Sequence, residues 1–266
     1  MLCQRIGHGG ASALARANTL ASFDAACDIG VDMVEFDVRA WDGELVLAHT
    51  VLHARRGGNV RLDDALSHLR GRRVELNVDV KHTGCEAALL ESVRRAGLLH
   101  RTLISSQVPD VLDRVRALEP RARVGISVGG RIARLGGLFR KYGDTESGYR
   151  RMPGEDTGPK VWPSHIEVRG QSQAPLGAAR MSLYLRKGPP GHRWRDWRAV
   201  ALAGLHTGRW DALMAQHKLV DRALLHDVSD RGGRLYAWTV NDRAAIARLA
   251  GLGVHGITTA DPRLFG

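Results

Sequence analysis

Cysteine is scarce: Cys3, Cys27 and Cys85 are odd in number and scattered, which favours reduced thiols and predicts a cytoplasmic setting. No run approaches the roughly 20 apolar residues that span a bilayer. The opening Met1-Leu2-Cys3-Gln4-Arg5-Ile6 lacks a basic segment followed by an apolar stretch, so no secretory signal is expected. Zinc-finger spacing and an aromatic-basic sheet signature are both missing, and no nucleic-acid partner is expected. A dinucleotide fingerprint is absent too, since His8-Gly9-Gly10-Ala11 lacks the required spacing. Lysine is rare, five against 34 arginines.

What is present describes an ordinary globular chain of 266 residues, 44% hydrophobic and 25% charged, long enough for a sizeable core. The net charge of +11 is regional. Residues 129–200 hold fourteen Arg and Lys against six Asp and Glu. A solvated arginine-rich face is the plain reading of such a charge run. Attraction of a phosphate-bearing substrate or of anionic lipid stays open, the latter as a transient contact with a membrane surface.

Strand-like runs alternate with helix-like ones along most of the chain. Strands are predicted at Cys3–Gly7, Met33–Val38 with a short partner at Glu44–His49, Val74–Lys81, Thr102–Ser105, Arg123–Val128, Ala212–Val220, Arg234–Val240 and Val254–Thr259. Helices are predicted at Thr19–Gly30, Cys85–Ala96, Pro109–Leu118 and Ala223–Asp230, and from a cap at Asn241 to Leu252. The alternation predicts an α/β fold, a single (β/α)8 barrel over residues 1–266, with a doubly wound sheet as the weaker alternative. Residues 129–198 interrupt it, holding six of the nine prolines and little periodicity. They are expected to form an irregular basic insertion, with 141–192 as a flap and Trp162, Trp194 and Trp197 packed on the barrel.

The chemistry concentrates in Met33-Val34-Glu35-Phe36-Asp37-Val38. In a strand Glu35 and Asp37 share one face, and two carboxylates this close call for a cation. The next strand repeats the pattern: Val74, Leu76, Val78 and Val80 on one face, Glu75, Asn77, Asp79 and Lys81 on the other. In a barrel the polar face near the strands' C-terminal ends builds the site, which makes Asp79 a third carboxylate and Lys81 a cation at the rim. His8, between the first strand and two glycines, and His49, ending an apolar run, fall on the same side. Hard oxygen ligands with two nearby histidines for proton transfer read as a metal-dependent hydrolytic or phosphoryl-transfer site.

Four segments, Ile6–Ser12, Ala17–Phe23, Gly30–Val38 and Asp42–His49, resemble in order the HRGA, ENTxxAF, GxxxxExDV and DGxxVxxHD motifs of glycerophosphodiester phosphodiesterases. Tyr236–Asp242 and Gly253–Pro262 resemble that family's WTVN and GVDGIxTDxP segments. The resemblance implies a (β/α)8 barrel and hydrolysis of a small-molecule glycerophosphodiester to glycerol phosphate and an alcohol. It also implies one divalent cation, Mg²⁺ or Ca²⁺ with Mn²⁺ as a substitute. Carried over by motif, Glu35, Asp37 and Asp79 would bind metal, His8 and His49 would exchange protons, and Lys81 and Trp238 would contact substrate. Asp79 resembles the related sphingomyelinase D branch, where Asp stands for the usual Glu. Three positions depart from the pattern: Gly9 replaces an Arg, Ala17 replaces the Glu before Asn18, and Thr50 follows His49 where Asp or Asn is usual. Two other readings therefore stay open, a phospholipase D-like enzyme on lysophospholipids and a degenerate barrel that binds a phosphorylated ligand without turnover.

Overall fold

A computed structural model of the chain describes residues 3–129 and 197–266. The expected flap at 141–192, with Trp162 and Trp194, lies outside them. The expected insertion does not reach residue 198: Trp197 opens a helix and packs against the core.

Eight parallel strands close into a barrel: β1 (Gln4–His8), β2 (Met33–Trp41), β4 (Glu75–Val80), β5 (Thr102–Ser106), β6 (Arg123–Val128), β7 (Ala212–Gln216), β8 (Arg234–Trp238) and β9 (Gly256–Thr259). Closure is made by β1, which pairs with both β2 and β9. β3 (Glu44–Leu47) turns back antiparallel on β2, placing Val38 beside Leu47. Among the described residues the helices are α1 (Leu20–Ile29), α2 (Val51–Arg55), α3 (Leu62–Arg70), α4 (Glu86–Arg95), α5 (Pro109–Leu118), α6 (Trp197–His206), α7 (Arg222–Ser229) and α8 (Arg243–Leu252). The expected α/β barrel is the observed one.

The alternation of each strand decides what it buries. Val34, Phe36 and Val38 of β2 and Leu76, Val78 and Val80 of β4 face outward into one continuous core with the helices. Facing inward, Ile6, Met33, Leu103, Ala212, Met214 and Tyr236 fill the barrel interior as a separate cluster, with Trp238 packed against it. One step nearer the strands' C-terminal ends, the inward positions turn polar. A parallel barrel strand is covered on one face by helices, so only the inner face near the mouth has room for such groups.

Several boundaries differ from the sequence reading for local reasons. β1 runs one residue further, so His8 ends the strand rather than following it. β7 stops at Gln216 and a 3₁₀ turn takes His217–Leu219. The cap of α8 is Asp242, whose carboxylate accepts the Ala245 N–H. Asn241 instead accepts the Ala260 N–H, tying the β8–α8 loop to the end of β9. α3 was not anticipated, although Leu62, Ala65, Leu66 and Leu69 give it an apolar stripe at helical spacing.

Candidate active site at the barrel mouth

Register brings the acids together. His8 of β1 stands opposite Glu35 of β2, Glu35 opposite Asn77 of β4, and Asp37 opposite Asp79. Oxygen atoms of Glu35, Asp37 and Asp79 lie within 4.8 Å of one another. Lys81, just past β4, lays its ammonium between two of them, 2.5 Å from Asp37 Oδ1 and 2.6 Å from Asp79 Oδ2. His8 Nε2 is 4.0 Å from Glu35 Oε2, and His49 Nδ1 is 3.3 Å from Asp37 Oδ2. Both imidazoles keep solvent access, with 36% and 58% of their side chains exposed. The structure thus gathers all six residues predicted on β1 to β4 and the loops that follow them.

The seventh, Trp238, ends β8 with its indole Nε1 donating to the Met214 carbonyl at 2.8 Å. A Cβ on Gly129 would lie 3.2 Å from its ring, so the indole reaches over the end of β6. It therefore lines the same mouth.

Local geometry explains how the acids are held. The β1–α1 turn passes through Gly9 and Gly10 at φ of 56° and 81°, the left-handed region that favours glycine. This turn lets the Gly9 N–H donate to Glu35 Oε2 at 2.9 Å, while a side chain at Gly10 would collide with the Ser22 backbone. Asn18, also left-handed at φ 61°, grips Asp37 twice. Its amide donates to Oδ2 at 2.9 Å, and its carbonyl accepts the Asp37 N–H at 3.0 Å. Arg39, next inward on β2, donates to the His49 carbonyl through Nε and Nη2, both at 3.3 Å. Asn18 and Arg39 were not singled out as site residues from sequence. The signal for Arg39 was available, because it continues the alternation of Glu35 and Asp37.

The charges are strongly coupled. Burial and then the Asp37 charge push the Glu35 carboxyl well above its ordinary value, against the pull of Lys81. Burial likewise raises Asp79, opposed by Lys81. Asp37 is also penalised by burial, but Lys81 and His49 hold it far below the usual carboxylate range. Burial would lower Lys81, and the surrounding Asp79, Asp37 and Glu35 reverse that and raise it. His8 is lowered, first by burial, with Asp37 opposing.

A hard divalent cation fits this donor set. Three carboxylates face one ammonium, and Asp79 Oδ1 and the neighbouring Asn77 Oδ1 are buried without a hydrogen-bond partner. Unpartnered buried oxygens are rare and costly, and they are the ligands that Mg²⁺ and Ca²⁺ take. His82 and His68 serve structure: His82 Nε2 accepts the Ala40 N–H at 3.0 Å, and His68 pairs with Asp24 at 2.9 Å.

The fold and motifs have counterparts. Residues 8–56 and 192–264 match the glycerophosphoryl diester phosphodiesterase family. Over 97% of its length this chain is 27% identical to the glycerophosphodiester phosphodiesterase GDPD4 of Arabidopsis thaliana, covering 70% of that protein. Among solved structures, the glycerophosphodiester phosphodiesterase of Thermotoga maritima superposes with a TM-score of 0.64 at 16% identity, covering 100% of this chain and 97% of its own. An Oleispira antarctica phosphodiesterase, solved with its product sn-glycerol-3-phosphate, gives 0.62 at 19% identity over 98% of this chain and 94% of that one. The family match begins at His8, spans Glu35, Asp37 and His49, and resumes through Trp238. With the closed barrel and the gathered acids, these matches identify the glycerophosphoryl diester phosphodiesterase family as the one this chain resembles.

Proposed function

We propose that this protein hydrolyses glycerophosphodiesters to glycerol phosphate and an alcohol, using one divalent cation. The observation that carries the reading is the cluster of Glu35, Asp37 and Asp79 on adjoining strands, flanked by His8 and His49. The three carboxylates would hold the cation, which when bound supplies charge neutralisation at a phosphoryl oxygen. With Nδ1 held on Asp37, the His49 ring presents Nε2 away from the acids, as an oriented proton carrier requires. One histidine takes the proton from the attacking hydroxyl and the other returns a proton to the departing alkoxide, so water and diester become monoester and alcohol. Lys81 adds positive charge against the anionic substrate, and Trp238 offers an apolar wall to the alcohol or glycerol portion. The Oleispira relative was solved with glycerol phosphate, which accords with that product class.

Release of glycerol phosphate from a panel of water-soluble glycerophosphodiesters, with chelator and with Mg²⁺, Ca²⁺ or Mn²⁺ restored, tests this. Full turnover in metal-stripped protein would sink the cation, and no turnover with any diester would sink the activity. A second reading is favoured by one contact: the Lys81 ammonium occupies two of the three carboxylates. If it excludes the cation, the barrel binds a phosphorylated ligand without turnover, and calorimetry will then register phosphate esters but no divalent ion.

A further inference from the structure

Most large apolar side chains of the described residues are covered, and the exceptions are not scattered. Four are exposed: Leu14 (40%), Val51 (52%), Leu52 (66%) and Leu118 (44%). Three of these four lie in the two segments that leave the site histidines. Leu14 is in the β1–α1 loop that starts at His8, and Val51 and Leu52 open α2, directly after His49 and Thr50.

Their exposure is built in. Thr50 caps α2 by accepting the His53 N–H at 3.1 Å. Asn59 ties down its other end, donating to the His53 and Ala54 carbonyls at 3.1 and 3.0 Å. Ala54 is buried beside Val46, Ala48 and Trp41. A short helix anchored this firmly holds Val51 and Leu52 outward instead of letting them fold back onto the barrel. Apolar groups held in water cost free energy unless something covers them.

Charge indicates what covers them. Neither 9–23 nor 45–62 contains an Asp or a Glu. Arg16, Arg55 and Arg56 are exposed in the same segments, and none has an ion-pair partner among the described residues. Arg61, also exposed here, pairs with Glu44. Apolar tips that share their segments with arginines lacking such a partner among the described residues match an anionic lipid surface, whose headgroups take the guanidinium groups while its acyl boundary takes the tips.

We propose that Leu14, Val51 and Leu52, with Arg16, Arg55 and Arg56, form a docking face for an anionic phospholipid surface. Docking there sets the barrel mouth against the membrane. The claim concerns binding and stands whether or not the proposed hydrolysis is correct.

The test is co-sedimentation of the full chain with vesicles of phosphatidylcholine alone and of phosphatidylcholine mixed with phosphatidylglycerol, at low and high salt. The native chain should partition onto the anionic vesicles and come off as salt rises. Leu52→Asp and the double substitution Arg55→Glu with Arg56→Glu should each weaken that partition about tenfold. Hydrolysis of a water-soluble diester and the circular dichroism spectrum should stay as in the native chain. Failure of the native chain to bind, or equal binding by both variants, overturns the proposal. So does an unchanged partition by Leu52→Asp with conversion of a dimer to a monomer on size exclusion, which would make this face a contact between copies.

Discussion

Asn18 shows how much a single residue contributes to the site. It satisfies both the carboxylate and the backbone N–H of Asp37 from a left-handed conformation that Asn tolerates better than most side chains. Asn18→Ala removes both bonds and leaves a Cβ at φ 61° without the side-chain amide that compensates for it. We expect a loss of about 1–3 kcal/mol in stability and weaker divalent binding by calorimetry. Asn18→Gly relaxes the backbone but restores neither bond, so it should recover part of the stability and none of the metal affinity. If Asn18→Ala binds metal like the native chain, Asn18 supports the fold alone. The histidines give a second prediction in the diester assay. His8→Ala and His49→Ala should each lower kcat by about 10²-fold or more, the scale for a positioned acid or base. Their effects should be strongly non-additive in the double variant. Near-native kcat in either single variant returns that histidine to a structural role.

Helix α6 owes its seat to a close approach at one point. Trp210, between α6 and β7, is buried and donates its indole N–H to the Ala201 carbonyl at 2.9 Å. Its ring lies so near Gly204 that a Cβ there would overlap it at 2.0 Å. Gly204→Ala must therefore move the ring or the helix, and overpacking of this kind costs about 1–3 kcal/mol or more. The midpoint of chemical denaturation should fall accordingly, with α6 losing hydrogen-exchange protection first; an unchanged midpoint would refute the packing. Elements also mark what the sequence could reveal. β2 and β4 were legible because an inward polar face and an outward apolar face alternate with period two, which no helix reproduces. α3 was missed because its nine residues sit between a hairpin and a strand in a polar stretch, where Leu62, Leu66 and Leu69 are too few to stand out. The caps of α1 and α8 differ for a similar reason. Thr19 and Ser22 reciprocate as a capping box readable in sequence, whereas choosing Asp242 over Asn241 needs the position of β9. Glu35, Asp37 and Asp79 were recognisable from their strands, but the grip of Asn18 depends on a turn that no periodicity encodes.

At the scale of the molecule, the acids join strands that are far apart in sequence, so the cation they would hold is tied to the closed barrel. Glu35 and Asp37 come from β2 and Asp79 from β4, and their alignment exists only when those strands pair. An unfolded chain offers no such cluster, so an ion that binds here binds the native state and stabilises it by mass action. At a hundredfold excess over Kd the gain is about 2.7 kcal/mol, worth roughly 5–10 °C in Tm for a domain of this size. Thermal melts of metal-stripped protein titrated with Mg²⁺, Ca²⁺ or Mn²⁺ should show that rise. Asp79→Asn should flatten it while raising the metal-free Tm or leaving it unchanged, because one of three crowded carboxylates then no longer has to be kept charged in a buried site. Lys81→Met should act oppositely: without its ammonium the acids depend wholly on the ion, so the metal-free Tm falls and the metal-induced rise grows. If the melts ignore divalent ions in the native chain and in Lys81→Met alike, the cluster is a buried ion-pair network around Lys81 and not a cation site.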